Sequence, residues 1–299
     1  MKTILITTSY IGYSNSSTFS IYTDSDSYAT PIETGITQIQ LNAGYTTSLV
    51  PDNATKIKLY SNSYCGYQPI DGQLINFVPV PTNGLLFYYD PGVITSYPGS
   101  GSILYDLSGN GRNATIGAGI TYSSSAGGSF VLPGTQDVCI TGTTLNQTLS
   151  TWTMIEAVNL NTAGSYTGLM LSRRASNNCN GIGTFDTTRY LDLTANNGTE
   201  YFSTTRQIPT SAWSIVGAAV ASTTYATQVY KTTGGQNYVT GTKTAGSSIF
   251  DQPILLGNDS DSAGRTLNGS IGISMMYDRT LSQAELTTIN LYFKTRYGI

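Results

Sequence analysis

From Gly84 to Tyr277 the chain is written as apolar runs only a few residues long, each closed by a turn rich in Gly, Asn, Ser or Pro. Leu85–Tyr89, Phe130–Leu132, Met154–Leu160, Ser214–Ala221, Thr227–Tyr230 and Ile271–Tyr277 have the length and content expected of strands. None approaches the ~20 apolar residues needed to cross a bilayer. One segment breaks the pattern. Ser282 and Glu285 form a capping box, in which each side chain satisfies a main-chain N–H of the first helical turn. Leu281 and Leu286 stand at the staple positions flanking that cap, and Leu286, Ile289 and Phe293 recur with helical spacing. This predicts a helix from about Gln283 to about Thr295, laid by its apolar face on a β-sandwich, with Gly298 beyond its end. Trp152 and Trp213 each open an apolar run and read as core or rim packing.

The preceding region reads differently. Phe19-Ser-Ile-Tyr-Thr-Asp, Ile36-Thr-Gln-Ile-Gln-Leu and Lys56-Ile-Lys-Leu-Tyr60 alternate apolar and polar residues, with Asp24-Ser-Asp-Ser, Asn42-Ala-Gly and Pro51-Asp-Asn as turns between them. Residues 1–77 are therefore expected to form a small antiparallel sandwich of fibronectin-type-III-like form. Residues 78–84, with Pro79 and Pro81, read as a stiff linker, and residues 85–299 as one larger domain.

Composition removes several function classes. The 299 residues include no histidine, so Ser-His-Asp and Cys-His nucleophilic schemes and imidazole metal sites are absent. Cys65, Cys139 and Cys179 lack metal spacing and read as small buried apolar residues. Charged residues make up 10% of the chain, against about 25% in ordinary soluble proteins. The 14 basic residues are scattered and the net charge is −3, so no cationic surface for nucleic acid is written here. Sequons such as Asn53, Asn113 and Asn268 are what a chain rich in Asn, Ser and Thr yields by chance. The first residues, Met1-Lys-Thr-Ile-Leu-Ile-Thr-Thr, hold too short an apolar run for a signal peptide, which implies release by lysis rather than secretion.

Several segments in order carry a family resemblance. They are Gly84-Leu-Leu-Phe-Tyr-Tyr-Asp-Pro-Gly, Tyr105-Asp-Leu-Ser-Gly-Asn-Gly-Arg-Asn-Ala-Thr-Ile116, Gly128-Ser-Phe-Val-Leu-Pro-Gly and Trp152-Thr-Met-Ile-Glu-Ala. Leu267-Asn-Gly-Ser-Ile-Gly-Ile-Ser-Met-Met-Tyr-Asp-Arg-Thr-Leu-Ser282, Gln283-Ala-Glu-Leu286 and the closing Lys294-Thr-Arg-Tyr-Gly-Ile follow. Together they resemble the laminin-G-like, concanavalin-A-like lectin jelly roll, in the versions carried on virion proteins of bacteriophages and other large DNA viruses. The resemblance implies an all-β chain, with a small N-terminal β-sandwich followed by a jelly roll that ends in one helix. In many laminin-G-like domains a loop near Asp106, Asn110 and Asn113 supplies oxygen ligands to calcium, which favours six to eight oxygens. The same residues also read as an Asx-turn, with Gly109 and Gly111 at positive φ. Where many relatives have Gly-x-Ile-Asp-Glu-Val, this chain has Gly269-Ser-Ile-Gly-Ile-Ser, without the carboxylates. No cofactor is expected.

Other candidates are weaker. Asp24-Ser-Asp26 and Asp259-Ser-Asp261 pair carboxylates in Ser-rich turns, where both members should ionise freely rather than split into acid and base. The Glu-x-Asp-x-Glu signature of the glucanases on this sandwich is missing, and Glu156 has no acidic partner at i+2 or i+4. Arg173 and Arg174 read as a solvated face. Tyrosine segments such as Gly164-Ser-Tyr166 and Tyr225–Tyr230 have the rings to stack on sugars. The ligand-binding candidates are Asp106, Asn110, Asn113, Asp259 and Asp261, with no catalytic residue. The resulting expectation is a non-enzymatic virion structural protein, a capsid decoration, head fibre or tail component. Its partners would be other virion proteins, copies of itself and host-surface glycans, with neither nucleic acid nor membrane. The rivals are a free carbohydrate-binding adhesin and a polysaccharide depolymerase.

Overall fold

In the computed structural model the chain folds as two compact units, Met1–Val80 and Pro81–Ile299. The structure describes residues 2–6, 18–43, 45–51, 54, 56–61, 73–76, 80–135, 139–162, 166–175, 178–184, 189–231, 235–259 and 265–299. Asn53, Cys65, residues 77–79 of the proline stretch, Gly164 and Asp261 lie outside them.

The first unit contains β1 (Lys2–Ile6), β2 (Thr18–Thr23), β3 (Pro31–Thr37), β4 (Tyr45–Val50), β5 (Lys56–Ser61), β6 (Gln73–Asn76) and a helix, α1 (Gln38–Ala43). One antiparallel sheet has the order β3-β2-β5-β6, and β1 pairs with β4 in a second. The alternation in β2 and β5 does what it predicts: Phe19, Ile21, Ile57 and Leu59 turn inward and join Ile6 and Val50 in one core. The alternation Ile36-Thr-Gln-Ile-Gln-Leu41 does not continue as a strand. The strand stops at Thr37, and Thr37 and Gln40 cap the helix that follows. Gln40 Oε1 accepts from the Thr37 N–H at 2.9 Å, while the Gln40 N–H donates to Thr37 Oγ1 at 3.2 Å. This is a Thr-x-x-Gln capping box, and it turns Leu41 into the core while Ile39 points to solvent.

The second unit contains β7 (Leu85–Tyr89), β8 (Ile103–Leu104), β9 (Ala114–Ile116), β10 (Thr121–Ser123), β11 (Ser129–Pro133), β12 (Ile140–Thr144), β13 (Gln147–Leu149) and β14 (Trp152–Leu160). Then come β15 (Thr167–Ala175), β16 (Asn178–Thr184), β17 (Tyr190–Ala195), β18 (Glu200–Gln207), β19 (Trp213–Val220) and β20 (Thr224–Lys231). The unit ends with β21 (Gly235–Thr242), β22 (Ser248–Phe250), β23 (Pro253–Leu256), β24 (Asn268–Tyr277) and helix α2 (Gln283–Tyr297). Two antiparallel sheets stack as a sandwich. Sheet A has the order β10-β11-β24-β14-β19-β20-β21, and sheet B the order β18-β17-β16-β15-β23-β12-β9-β8. The long strand β24 pairs with β11 along its first half and with β7 along its second. Trp152, Met154, Val158, Val216, Ile271 and Met276 of sheet A face Leu169, Ile182, Leu191, Leu193, Ile254 and Leu256 of sheet B across one core.

The other face of sheet A carries α2. Its capping box forms as the sequence predicts: Ser282 Oγ accepts from the Glu285 N–H at 3.3 Å, and Glu285 Oε2 accepts from the Ser282 N–H at 2.9 Å. Arg279 grips the same carboxylate, and this pairing, with the cap, lowers the Glu285 pKa to about 2. Leu286, Ile289 and Phe293 are buried, and the helix runs on to Tyr297, a turn's half beyond its expected end. A bulge explains that extension. Glu156 pairs with Ser274 but Val158 pairs with Ile271, so Gly272 and Ile273 together oppose one residue of β14. The Ile273 N–H donates to the Tyr297 hydroxyl at 2.9 Å, and a Cβ at Gly272 would lie 2.2 Å from that oxygen. Arg296, one residue earlier, sends its guanidinium to Asp90 at 2.6 Å and to the carbonyls of Ala126 and Gly128 at 3.0 and 2.9 Å.

Glu156 is fully buried on the inner face of β14, in the row of Trp152, Met154 and Val158. Ser274 Oγ donates to one of its oxygens at 3.1 Å, and the other has no hydrogen-bond partner. Burial pushes its pKa well above the usual carboxylate range. The folded state therefore keeps a proton that the unfolded chain releases, and stability falls as pH rises above the unfolded pKa of about 4.3. Glu156→Gln, permanently neutral, should match the native protein near that pH and exceed it in urea midpoint at alkaline pH. Equal pH dependence of the two proteins would contradict the buried neutral acid. Arg296→Ala, which strands Asp90, should cost about 3–5 kcal/mol in urea unfolding.

Candidate functional site

The turn that carries Asp106, Asn110 and Asn113 is closed on itself. Asp106 Oδ1 accepts from the N–H groups of Tyr88 (3.0 Å) and Ser108 (2.9 Å), and Oδ2 from Ser108 Oγ (2.7 Å) and the Arg112 N–H (3.0 Å). A carboxylate has about four lone-pair sites, and here all are used. Asn113 Oδ1 accepts from the Asp106 N–H at 3.0 Å, and Asn110 Nδ2 donates to the carbonyls of Leu85 and Leu86 at 2.8 and 3.1 Å. Gly109 and Gly111 have φ of +86° and +70°. The three side chains staple a turn to β7, in the geometry of an Asx-turn rather than of an open oxygen cage. Among the described residues no group of three or more His, Cys, Asp or Glu side chains converges as metal ligands.

Asp259 differs from its expected setting. Instead of a solvated turn it occupies a fully buried position, where Arg173 grips it with two hydrogen bonds and Arg265 approaches to 3.0 Å. Arg265 also lies over the Tyr166 ring at 4.8 Å. Arg173 is correspondingly buried rather than part of a solvated face, and Arg174 pairs with Asp251 at 2.9 Å. Sequence could not join Arg173 to Asp259, because the contact spans two strands and 86 residues. The ion cluster ties the segment after β23 to β15. Asp24 and Asp26 also act locally: Asp24 accepts from the Lys56 N–H at 3.0 Å, and Asp26 caps Thr30.

Among the described residues an open, shallow groove lies on the outer face of sheet A, beside α2. Helix α2 reaches as far as Gln228, whose amide exchanges hydrogen bonds with the Asn290 amide at 3.3 and 2.9 Å. Beyond that row the strands carry small side chains. Ala219, Ala226 and Thr240 stand in register across β19, β20 and β21, and form the floor of a groove of about 400 Å³. Tyr238 walls it on the edge strand, and Thr224, Thr242 and Thr280 rim it with hydroxyls. Thr280 Oγ1 donates to the Val220 carbonyl at 2.7 Å, which fixes its position. Tyr225 supports the groove from the inner side: its ring stacks on Phe202 at 4.0 Å and passes under Gly241, where a Cβ would lie 2.5 Å from the phenol. Burial raises the pKa of both Tyr225 and Tyr238, so both phenols keep their protons and can donate.

The loop ends beside the groove are held by a buried ammonium. Lys243 Nζ donates to Asn196 Oδ1 at 3.0 Å and to the carbonyls of Ser222 and Thr244, both at 2.9 Å. Desolvation lowers its pKa while the Glu200 charge raises it. Of the groove's residues, Tyr225 and Ala226 belong to a segment that the sequence offers for sugar stacking, and Tyr238 does not. The cross-strand row of small residues is invisible before β19, β20 and β21 are placed in register. Removing the shared anion in Asp259→Ala should destabilise the protein by about 3 kcal/mol; a urea midpoint unchanged from the native protein would deny the cluster its anchoring role.

No protein-family model matches the chain, and no curated protein matches it. Solved structures do. Trypanosoma rangeli sialidase in complex with sialic acid aligns with a TM-score of 0.51 at 15% identity, over 72% of this chain and 34% of that one. Domain 4 of AbnA, a GH43 extracellular arabinanase from Geobacillus stearothermophilus, in complex with arabinotriose, aligns at 0.49 and 18% identity, over 68% of this chain and 96% of that domain. The binding domain of botulinum neurotoxin serotype G aligns at 0.49 and 11% identity, over 71% and 51%. This chain thus spans about a third of the sialidase. At these identities the likeness is one of fold, an all-β sandwich.

Proposed function

We propose that this protein is a non-enzymatic, glycan-binding component of a virus particle, with the larger unit as the displayed lectin-like module. The observation that carries the glycan reading is the groove of Tyr238 and the Thr224, Thr240, Thr242 and Thr280 hydroxyls over an alanine floor. A tyrosine ring offers an apolar face to the C–H side of a sugar, and neutral hydroxyls match its polar edge. The absence of catalysis is supported by where the best-placed acids sit. Glu156 faces the inter-sheet core, Asp106 is spent in its turn, and Asp259 is held by arginines. None of the three opens on the groove. The virion setting rests on the resemblance of the Tyr277-to-Ile299 segment to the closing helix of viral members, and on a chain with only 10% charged residues. A solved structure of similar fold, the sialidase, holds sialic acid, which makes a sugar a natural occupant to test.

The first unit is assigned the anchoring role. The protein should copurify with intact particles at fixed stoichiometry and bind immobilised glycans without releasing reducing ends. Deleting residues 1–77 should abolish incorporation into particles. Presence in culture fluid but absence from purified particles would point to a free adhesin, and steady product release from a bound polysaccharide would point to a depolymerase.

A further inference from the structure

We infer that the groove on β19, β20 and β21 takes neutral saccharides and rejects acidic ones, an inference that rests on the glycan-binding reading above. Among the described residues its lining carries no charged side chain: Ala219, Ala226 and Gly241 are apolar, and Thr224, Tyr238, Thr240, Thr242 and Thr280 offer only hydroxyls. The two basic residues next to it in sequence are already committed. Lys243 follows Thr242, but its three donors go to Asn196, Ser222 and Thr244. Arg279 precedes Thr280, but it holds Glu285 at 2.6 and 3.1 Å and the Asn83 carbonyl at 2.8 Å.

A carboxylate, sulfate or phosphate on the sugar would enter this groove with no cation to replace its water. Leaving an anion partly desolvated and unpaired costs far more than a hydroxyl–hydroxyl contact returns. A neutral pyranose meets no such penalty. Its ring lies on Tyr238, its hydroxyls reach threonine oxygens that act as donor and acceptor alike, and among the described residues β21 is the last strand of its sheet on that side. The volume of about 400 Å³ stands near the small end of ligand sites, so one or two sugar rings fill it. The same chemistry separates this groove from a sialic-acid site, where the defining group is a carboxylate.

The test is binding of the full chain to a glycan panel that pairs neutral hexose and N-acetylhexosamine oligosaccharides with sialylated, uronic-acid and sulfated ones. The expected result is binding confined to neutral members and unchanged when salt is raised to screen charge. Tyr238→Ala should weaken it by roughly tenfold, Thr240→Ala by less, and Tyr166→Ala, just before β15 of the other sheet, not at all. Tyr238→Phe keeps the ring and should retain most of the affinity, which separates loss of stacking from loss of folding; thermal melting of each variant checks the latter. Binding of acidic members that falls with Tyr238→Ala would overturn the selectivity while leaving a glycan-binding groove. Neutral binding indifferent to Tyr238 and Thr240 would overturn the location. No binding to any member of the panel would remove the glycan reading itself.

Discussion

One guanidinium joins three distant parts of the second unit. Arg296, in the last turn of α2, meets Asp90 just after β7 and the Ala126 and Gly128 carbonyls just before β11. The backbones there approach so closely that a Cβ on Gly92 would fall 1.8 Å from the Gly127 carbonyl oxygen. Asp90 is in turn oriented by the Tyr88 hydroxyl at 2.9 Å and by the Gly92 N–H at 2.9 Å. A charge desolvated to this degree needs acceptors around it, and each of the three guanidinium nitrogens has one. With the end of α2 fixed, Tyr297 lands on the β24 bulge and Phe293 and Ile289 cover sheet A. The groove begins where that cover stops.

The fold was readable where local pattern and tertiary environment agree. The strands from Leu85, Phe130, Met154, Ser214, Thr227 and Ile271 occur where their apolar runs place them, and α2 starts at its capping box. Misreadings arose where two local codes overlap. Ile36-Thr-Gln-Ile-Gln-Leu satisfies both a two-residue alternation and a Thr-x-x-Gln helix start, and the capping hydrogen bonds prevail. Asp259 looked solvent-facing because its neighbours in sequence are serines and asparagine, whereas its environment is made by β15 and by Arg265. The turn around Asp106 is written in local residues, but its attachment to the Tyr88 N–H and the Leu85 and Leu86 carbonyls of β7 is not. The groove was not legible, since a floor of Ala219, Ala226 and Thr240 exists only once register is set.

Part of the small charge complement of this chain is tied up in internal pairs. Arg173 and Arg265 on Asp259, Arg174 on Asp251, Arg279 on Glu285 and Arg296 on Asp90 occupy five of the 14 basic residues in ion pairs. Lys243 serves three carbonyl-type oxygens, and Glu156 is held neutral.

The pairing of β24 with both β7 and β14 also dictates when the sandwich can close. During synthesis Trp152–Leu160 leaves the ribosome more than a hundred residues before Asn268–Tyr277, its neighbour on one side. Until then β14 has an open edge and Leu85–Tyr89 has no ladder to join, so assembly is governed by contacts of very long sequence separation. A nascent chain of this design is exposed to off-pathway strand pairing for most of its translation. Closure of sheet A in the larger unit therefore waits on its last strand, and contacts of this sequence separation favour slow folding.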